Sequence, residues 1–246
     1  MFTFFKDLSN DTTNKLKQLS DSVVNIFADI TELRDAINAT PRVLNDLEIT
    51  ELCTGDKPMI SPFISESVKT VSKCIDLSQE RRSYKILSKG LSSAGYDISA
   101  SAEDVKIFKH IPGEVVDPKN FNPHFLEDAN IKTDETGIYF IIPGNSYALL
   151  KSEQRFDLPR NIKGRCDGKS TNARVGIHVN ITPLEPGWSG VLTIEISNNS
   201  PSDCRVYLEE GIAQLEFVRI NNPLVSYADR SGKYNNQENK VVFAKV

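Results

Sequence analysis

Residues 168 to 174 read GKSTNAR, which sets Lys169, Ser170, Thr171, Asn172, Ala173 and Arg174 directly after a glycine. Two cations, two hydroxyls and an amide in so short a stretch are donors suited to an anion. A second stretch, VLTIEISN at 191 to 198, reads as a strand. Alternation puts Leu192, Ile194 and Ile196 on one face, and Val191, Thr193, Glu195 and Ser197 on the other. Glu195 thus stands in mid-strand among apolar neighbours. A carboxylate there is either held in a structural ion pair or doing chemistry. The residues from Ala173 sort in the same way: Ala173, Val175, Ile177, Val179 and Ile181 on one face, Arg174, Gly176, His178 and Asn180 on the other. Where these two strands are close, Arg174 would meet Glu195 and keep it charged, or orient a hydrolytic water between them. His178 reads as a satisfied strand histidine, because no cysteine or acid stands at ligand spacing.

The chain has 246 residues and a formal net charge of -4, so a phosphate site must be local and a broad basic groove for nucleic acid is disfavoured. With 39% hydrophobic and 25% charged residues it has the composition of an ordinary soluble globule. No apolar run reaches transmembrane length, and the opening MFTFFKDLSNDTT lacks the parts of a secretory signal. The expected location is the cytoplasm. Cys53, Cys74, Cys166 and Cys204 are widely spaced with no CxxC pair, which suits reduced thiols and gives no support to structural zinc.

These residues need a scaffold, and the chain changes texture to supply one. Between Asp11 and Ala39, Leu16, Leu19, Val23, Phe27, Ile30, Leu33 and Ile37 recur at steps of three and four, which predicts an amphipathic helix stopped by Pro41. Such a helix docks on its own core or on a neighbouring subunit; a handle for another protein is the alternative, and its mixed charges argue against a membrane surface. From about residue 90, short apolar runs separated by Gly, Pro, Asn and Asp predict an all-β sandwich or barrel. No βαβ rhythm appears, which excludes a Rossmann sheet. The expected division is a helical extension at 1–50 and a β domain at 51–246. The polar stretch YADRSGKYNNQENK, 227 to 240, is either a frayed tail or an arm that closes over a ligand.

Five blocks together resemble the bacterial and phage dCTP deaminases, in the family's order: GLSSAGYDIS at 90–99, VDPKNF at 116–121, residues 168–198, EEGIAQLEF at 209–217 and SYADRSGKYNNQ at 226–237. The resemblance spans about residues 57 to 246. It implies a mainly β, distorted barrel or jelly-roll-like fold shared with the trimeric dUTPases, homotrimers with active sites between subunits, and a C-terminal arm at about 226–240 that closes on substrate. The dUTPases lack a glutamate matching Glu195 and carry Asp and Tyr where this chain reads LEPGW.

The resemblance further implies zinc-independent hydrolysis of dCTP to dUTP and ammonia, feeding thymidine nucleotide synthesis. The HxE and PCxxC motifs of zinc-dependent deaminases are absent from the sequence. By resemblance, Glu195 is the general base, with Ser170, Arg174 and the Ala173 carbonyl placing the water. Lys169, Ser170, Thr171, Asn172, Thr193, Ile194, Gln214, Tyr227, Lys233 and Gln237 are the implied nucleotide contacts, and Mg²⁺ arrives on the triphosphate. Feedback inhibition by dTTP is a further expectation. Two alternatives remain at this point: a bifunctional enzyme that continues to dUMP and pyrophosphate, and a non-catalytic nucleotide-binding interaction module.

Overall fold

The computed structural model describes residues 2–74, 81–180 and 182–245, with backbone alone at 2–11, 38, 39, 73, 74, 81 and 82. The face assigned to Ile181 and the thiol of Cys74 therefore lie outside the described residues. The chain divides into two units, Met1–Pro41 and Arg42–Val246.

The first unit is helix α1, Phe2–Ala39. Ser22 and Thr31 return their hydroxyls to the carbonyls of Gln18 and Phe27, four residues back, so these polar side chains sit in the helix without opening it. The helix ends just before Pro41, whose ring disfavours helical geometry in the residue ahead of it.

The second unit opens with β1 (Arg42–Val43), α2 (Asp46–Cys53), β2 (Ile60–Ser61), β3 (Ser67–Cys74) and β4 (Arg81–Ser92). Residues 42–50 thus take part in the β unit. Asn45 caps α2, accepting from the Glu48 N–H, with Asp46 and Glu48 in its first turn. Next come β5 (Gly95–Phe108), β6 (Leu126–Asp128), β7 (Lys132–Asp134), β8 (Gly137–Ile142), β9 (Tyr147–Asp157) and β10 (Ile162–Gly168). A single helical turn, α3 (Ser170–Ala173), leads to β11 (Ile177–Val179), β12 (Pro183–Leu184), β13 (Ser189–Asn198), β14 (Cys204–Leu208) and β15 (Gly211–Arg219).

Among the described residues the strands form a 12-stranded curled half-barrel sheet with central order β11-β13-β9-β5-β15-β10-β12, and a 3-stranded sheet β14-β8-β7. The curl turns on β5. Its first half pairs with β4 and β15, its second half with β9 and β6, and its ladder to β9 is irregular between Ala100 and Val105. A bulge there lets one strand serve both halves of the barrel. Tyr96, Phe140, Phe156 and Phe217 are fully buried in the core between them.

Candidate active site

β13 is an inner strand between β9 and β11, rich in β-branched residues that suit a pleated, buried surface. Glu195 lies opposite Leu149, and its carbonyl accepts from the Asn180 N–H at 2.9 Å. Its side chain lines a cavity of about 610 Å³, together with Thr193, Tyr147, Trp188 and Glu185. Burial pushes the Glu195 carboxyl up to about 7, opposed only by a hydrogen bond from its own backbone. Among the described residues no cation pairs with it, so the structural ion pair weighed for it on the sequence does not form within one chain.

The strict alternation expected in this strand fails at one point. The ladder to β9 shifts between Val191 and Thr193. Leu192, expected on the face of Ile194 and Ile196, also lines the cavity beside Thr193. The extra residues lie in β9, where Ser152, Glu153 and Gln154 stand against Leu192 alone, and such a bulge bends the strand that carries it. The Leu192 N–H turns onto the Ser152 hydroxyl at 2.9 Å, which satisfies a buried donor. Ile194 is buried in the core.

The C-terminal stretch lies along the start of this strand. Trp188 donates its indole N–H to the Tyr234 carbonyl at 2.8 Å, the Ser189 N–H binds the Asn235 side chain at 3.0 Å, and the Asn236 N–H binds the Ser189 carbonyl at 2.7 Å. Gln237 is buried and bridges to Gly190. Glycine is needed there: its φ is +144°, and a Cβ would fall 2.6 Å from the Gln237 nitrogen. Beyond it, the Val242 N–H reaches the Thr193 hydroxyl at 3.2 Å. Tyr227 and Gln237 both line the cavity, whereas Lys233 is exposed with its ammonium 5.3 Å from the Tyr234 ring centre.

The loop at 168–174 is built differently. The strand expected from Ala173 begins only at Ile177. Residues 170–173 form α3 instead, with the Ala173 N–H on the Lys169 carbonyl at 3.0 Å and the Arg174 N–H on the Ser170 carbonyl at 3.2 Å. Gly176, at φ +86°, takes the chain out of the turn. Alternating residue types imitated a strand here, but a local turn set the backbone. Ser170, Thr171, Ala173 and Arg174 are exposed, and Asn172 is half-buried with its amide 3.3 Å from the Ile212 carbonyl. His178 is exposed, between buried Ile177 and Val179.

Beneath the loop sits a cluster whose members are far apart in the sequence. The Lys169 ammonium meets the Asp97 carboxylate at 2.5 Å and the Ser88 hydroxyl at 3.0 Å. Gln214 donates to the other Asp97 oxygen and to Ser92, both at 3.2 Å. Lys169 thereby spends two of its three donors and keeps one. Asp97 stands within SAGYD, so a buried acid in a recognised block was the available signal; Tyr147 and Trp188 carried none beyond being aromatic.

The residues singled out on the sequence thus fall into two groups. Thr193, Glu195, Tyr227 and Gln237 line one cavity. Lys169 and Gln214 join at Asp97, with the exposed Ser170, Thr171, Ala173 and Arg174 beside Lys169. Among the described residues, no cluster of three or more His, Cys, Asp or Glu is placed to hold a metal ion.

Comparison with known proteins decides the family. A family model described as dCTP deaminase-like matches residues 43–220. The chain belongs to that family. Among curated relatives, a dCTP deaminase of Roseiflexus castenholzii is 46% identical over 180 residues, covering 73% of this chain and 86% of the relative. One from Campylobacter concisus is 44% identical over 184 residues, covering 74% and 88%. Among solved structures, the 2'-deoxycytidine 5'-triphosphate deaminase of Agrobacterium tumefaciens aligns with a TM-score of 0.45 at 15% identity, covering 73% of this chain and 48% of that one. The matched region begins where the second unit begins, and α1 lies outside it.

Proposed function

We propose that this chain deaminates dCTP to dUTP and ammonia by zinc-independent hydrolysis, with Glu195 as general base. The observation that carries the reading is the Glu195 carboxyl in the cavity, raised to about 7 by burial. A base with that affinity takes up a proton readily at neutral pH and gives it back. Glu195 removes a proton from water as the oxygen bonds to C4 of cytosine. The carboxylic acid then protonates N3 and, after the second water proton has moved, the amino nitrogen. The C4–N bond breaks, C4 gains a carbonyl, and ammonia leaves. The Ser170 hydroxyl, the Ala173 carbonyl and Arg174 hold the water and offset the changing charge.

Exposure of those three on their own chain supports a homotrimer in which the 168–174 loop of one copy completes the Glu195 cavity of another. Lys169, with its remaining donor, and Lys233 bind phosphates. Thr171, Asn172, Thr193, Ile194, Gln214, Tyr227 and Gln237 surround the rest of the nucleotide. Mg²⁺ would come in on the triphosphate oxygens and neutralise part of its charge. We extend the proposal to inhibition by dTTP through the same phosphate contacts, and to work in the cytoplasm, that of a host if the gene is carried by a phage. Incubation with dCTP and Mg²⁺, followed by chromatography and ammonia measurement, tests it. Equal dUTP and ammonia are expected. Accumulation of dUMP and pyrophosphate, or binding without ammonia, would overturn it.

A further inference from the structure

Helix α1 exposes Leu16, Leu19, Val23, Val24, Ile26, Phe27, Ile30, Leu33 and Ile37, at 43% to 66% of their surface. So many large apolar side chains on one face exceed what a monomer leaves in water. Their spacing is a heptad repeat. Leu16, Val23, Ile30 and Ile37 occupy the a positions, and Leu19, Ile26 and Leu33 the d positions, seven layers without a polar interruption. Such a repeat, 3.5 residues per turn, specifies a helix wound on other helices.

We infer that α1 packs in parallel, in register, against α1 of further copies of this chain, forming a three-stranded coiled coil. The flanking residues select this occupant. In a parallel arrangement the g position of one heptad faces the e position of the next heptad of its neighbour. That places Asp29 opposite Arg34, an attractive pair. It also places Ser22 opposite Phe27. The Ser22 hydroxyl is already bonded to the Gln18 carbonyl of its own helix, so it presents a small, satisfied surface to the ring. An antiparallel arrangement pairs e with e and g with g, and opposes none of these charges. The apolar stripe also runs past a to Phe27 at e and Val24 at b, wider than a two-stranded seam covers. The count of three rests on the homotrimer proposed above; the self-association rests on the repeat.

The test uses the full chain. Leu33→Cys places a thiol at a d position and Asp35→Cys places one on the outer f position. After mild oxidation, non-reducing electrophoresis should show interchain disulfides for Leu33→Cys and little above the wild-type background for Asp35→Cys, while sedimentation gives a mass of three chains. In the Leu33→Cys chain, Asp29→Arg should reduce the cross-link and Asp29→Arg with Arg34→Asp should restore it, a rescue that misfolding would not produce. Equal cross-linking at 33 and 35, or no effect of the charge swap, overturns the inference. Deamination of dCTP is read on the same samples: intact deamination without the cross-link defeats this inference alone, and the cross-link without deamination defeats the proposed function alone.

Discussion

The cavity around Glu195 and the loop at 168–174 are opposite in almost every physical respect. One is concave, lined by Tyr147, Leu149 and Trp188, and roofed by the chain's own C-terminal stretch. The other is donor-rich and largely exposed, tied at Lys169 to Asp97. A carboxylate in the first is short of positive charge, and the second carries Arg174 with no anion paired to it among the described residues. The difference shows why the proposal divides the site between copies. Each has what the other lacks, which is what a site divided between copies requires.

The largest effect should come from removing the proposed base. Glu195→Gln keeps the shape of the cavity and deletes proton transfer, so turnover should fall on the order of 10²–10⁴-fold or more. Calorimetry should show dCTP binding retained while ammonia release disappears. On the loop side, Arg174→Gln should lower kcat by about 10²-fold, the scale of a lost charge-stabilising donor. It also has a signature in pH. A base works only when unprotonated, so kcat/KM falls as pH drops below its pKa. A neighbouring guanidinium favours the charged carboxylate and pulls that pKa down from the value near 7 set by burial alone. The acid limb of the wild type should therefore lie below 7, and that of Arg174→Gln should move up toward it. An unmoved limb would break the link between the two regions.

A third effect separates support from chemistry. Asp97→Ala leaves Lys169 without its buried carboxylate and should cost about 3 kcal/mol of stability, read by denaturant unfolding. The smallest effect should be Gly190→Ala. A methyl group would collide with Gln237, loosening the roof and raising KM for dCTP several-fold, with stability lowered by about 2 kcal/mol.

The unequal legibility of these regions has physical causes. The helix at the start was readable because the step of three and four persists over many residues. The strand of Glu195 was readable because alternation sorted its faces, and the carboxylate stood out as costly. The irregularity opposite Leu192 left no trace, since its extra residues, Ser152 to Gln154, lie in β9 and leave the alternating pattern of VLTIEISN unchanged. Alternation misled at Ala173, where four residues closed a turn that short-range hydrogen bonds favoured over a strand. The cluster of Asp97, Lys169 and Gln214 could not be read locally at all. Its members are far apart in the chain and meet only because β15 pairs with both β5 and β10.

Co-assembly of two inactive chains tests the shared site most directly. Glu195→Gln supplies an intact loop and Arg174→Ala an intact cavity; each alone should be nearly inert. When the two are expressed together in equal amounts, random assembly into rings restores both halves at about a quarter of the sites, and deamination should rise to that fraction of the wild-type rate. Activity that stays at the level of the separate variants would mean that Glu195 and Arg174 do not meet across copies.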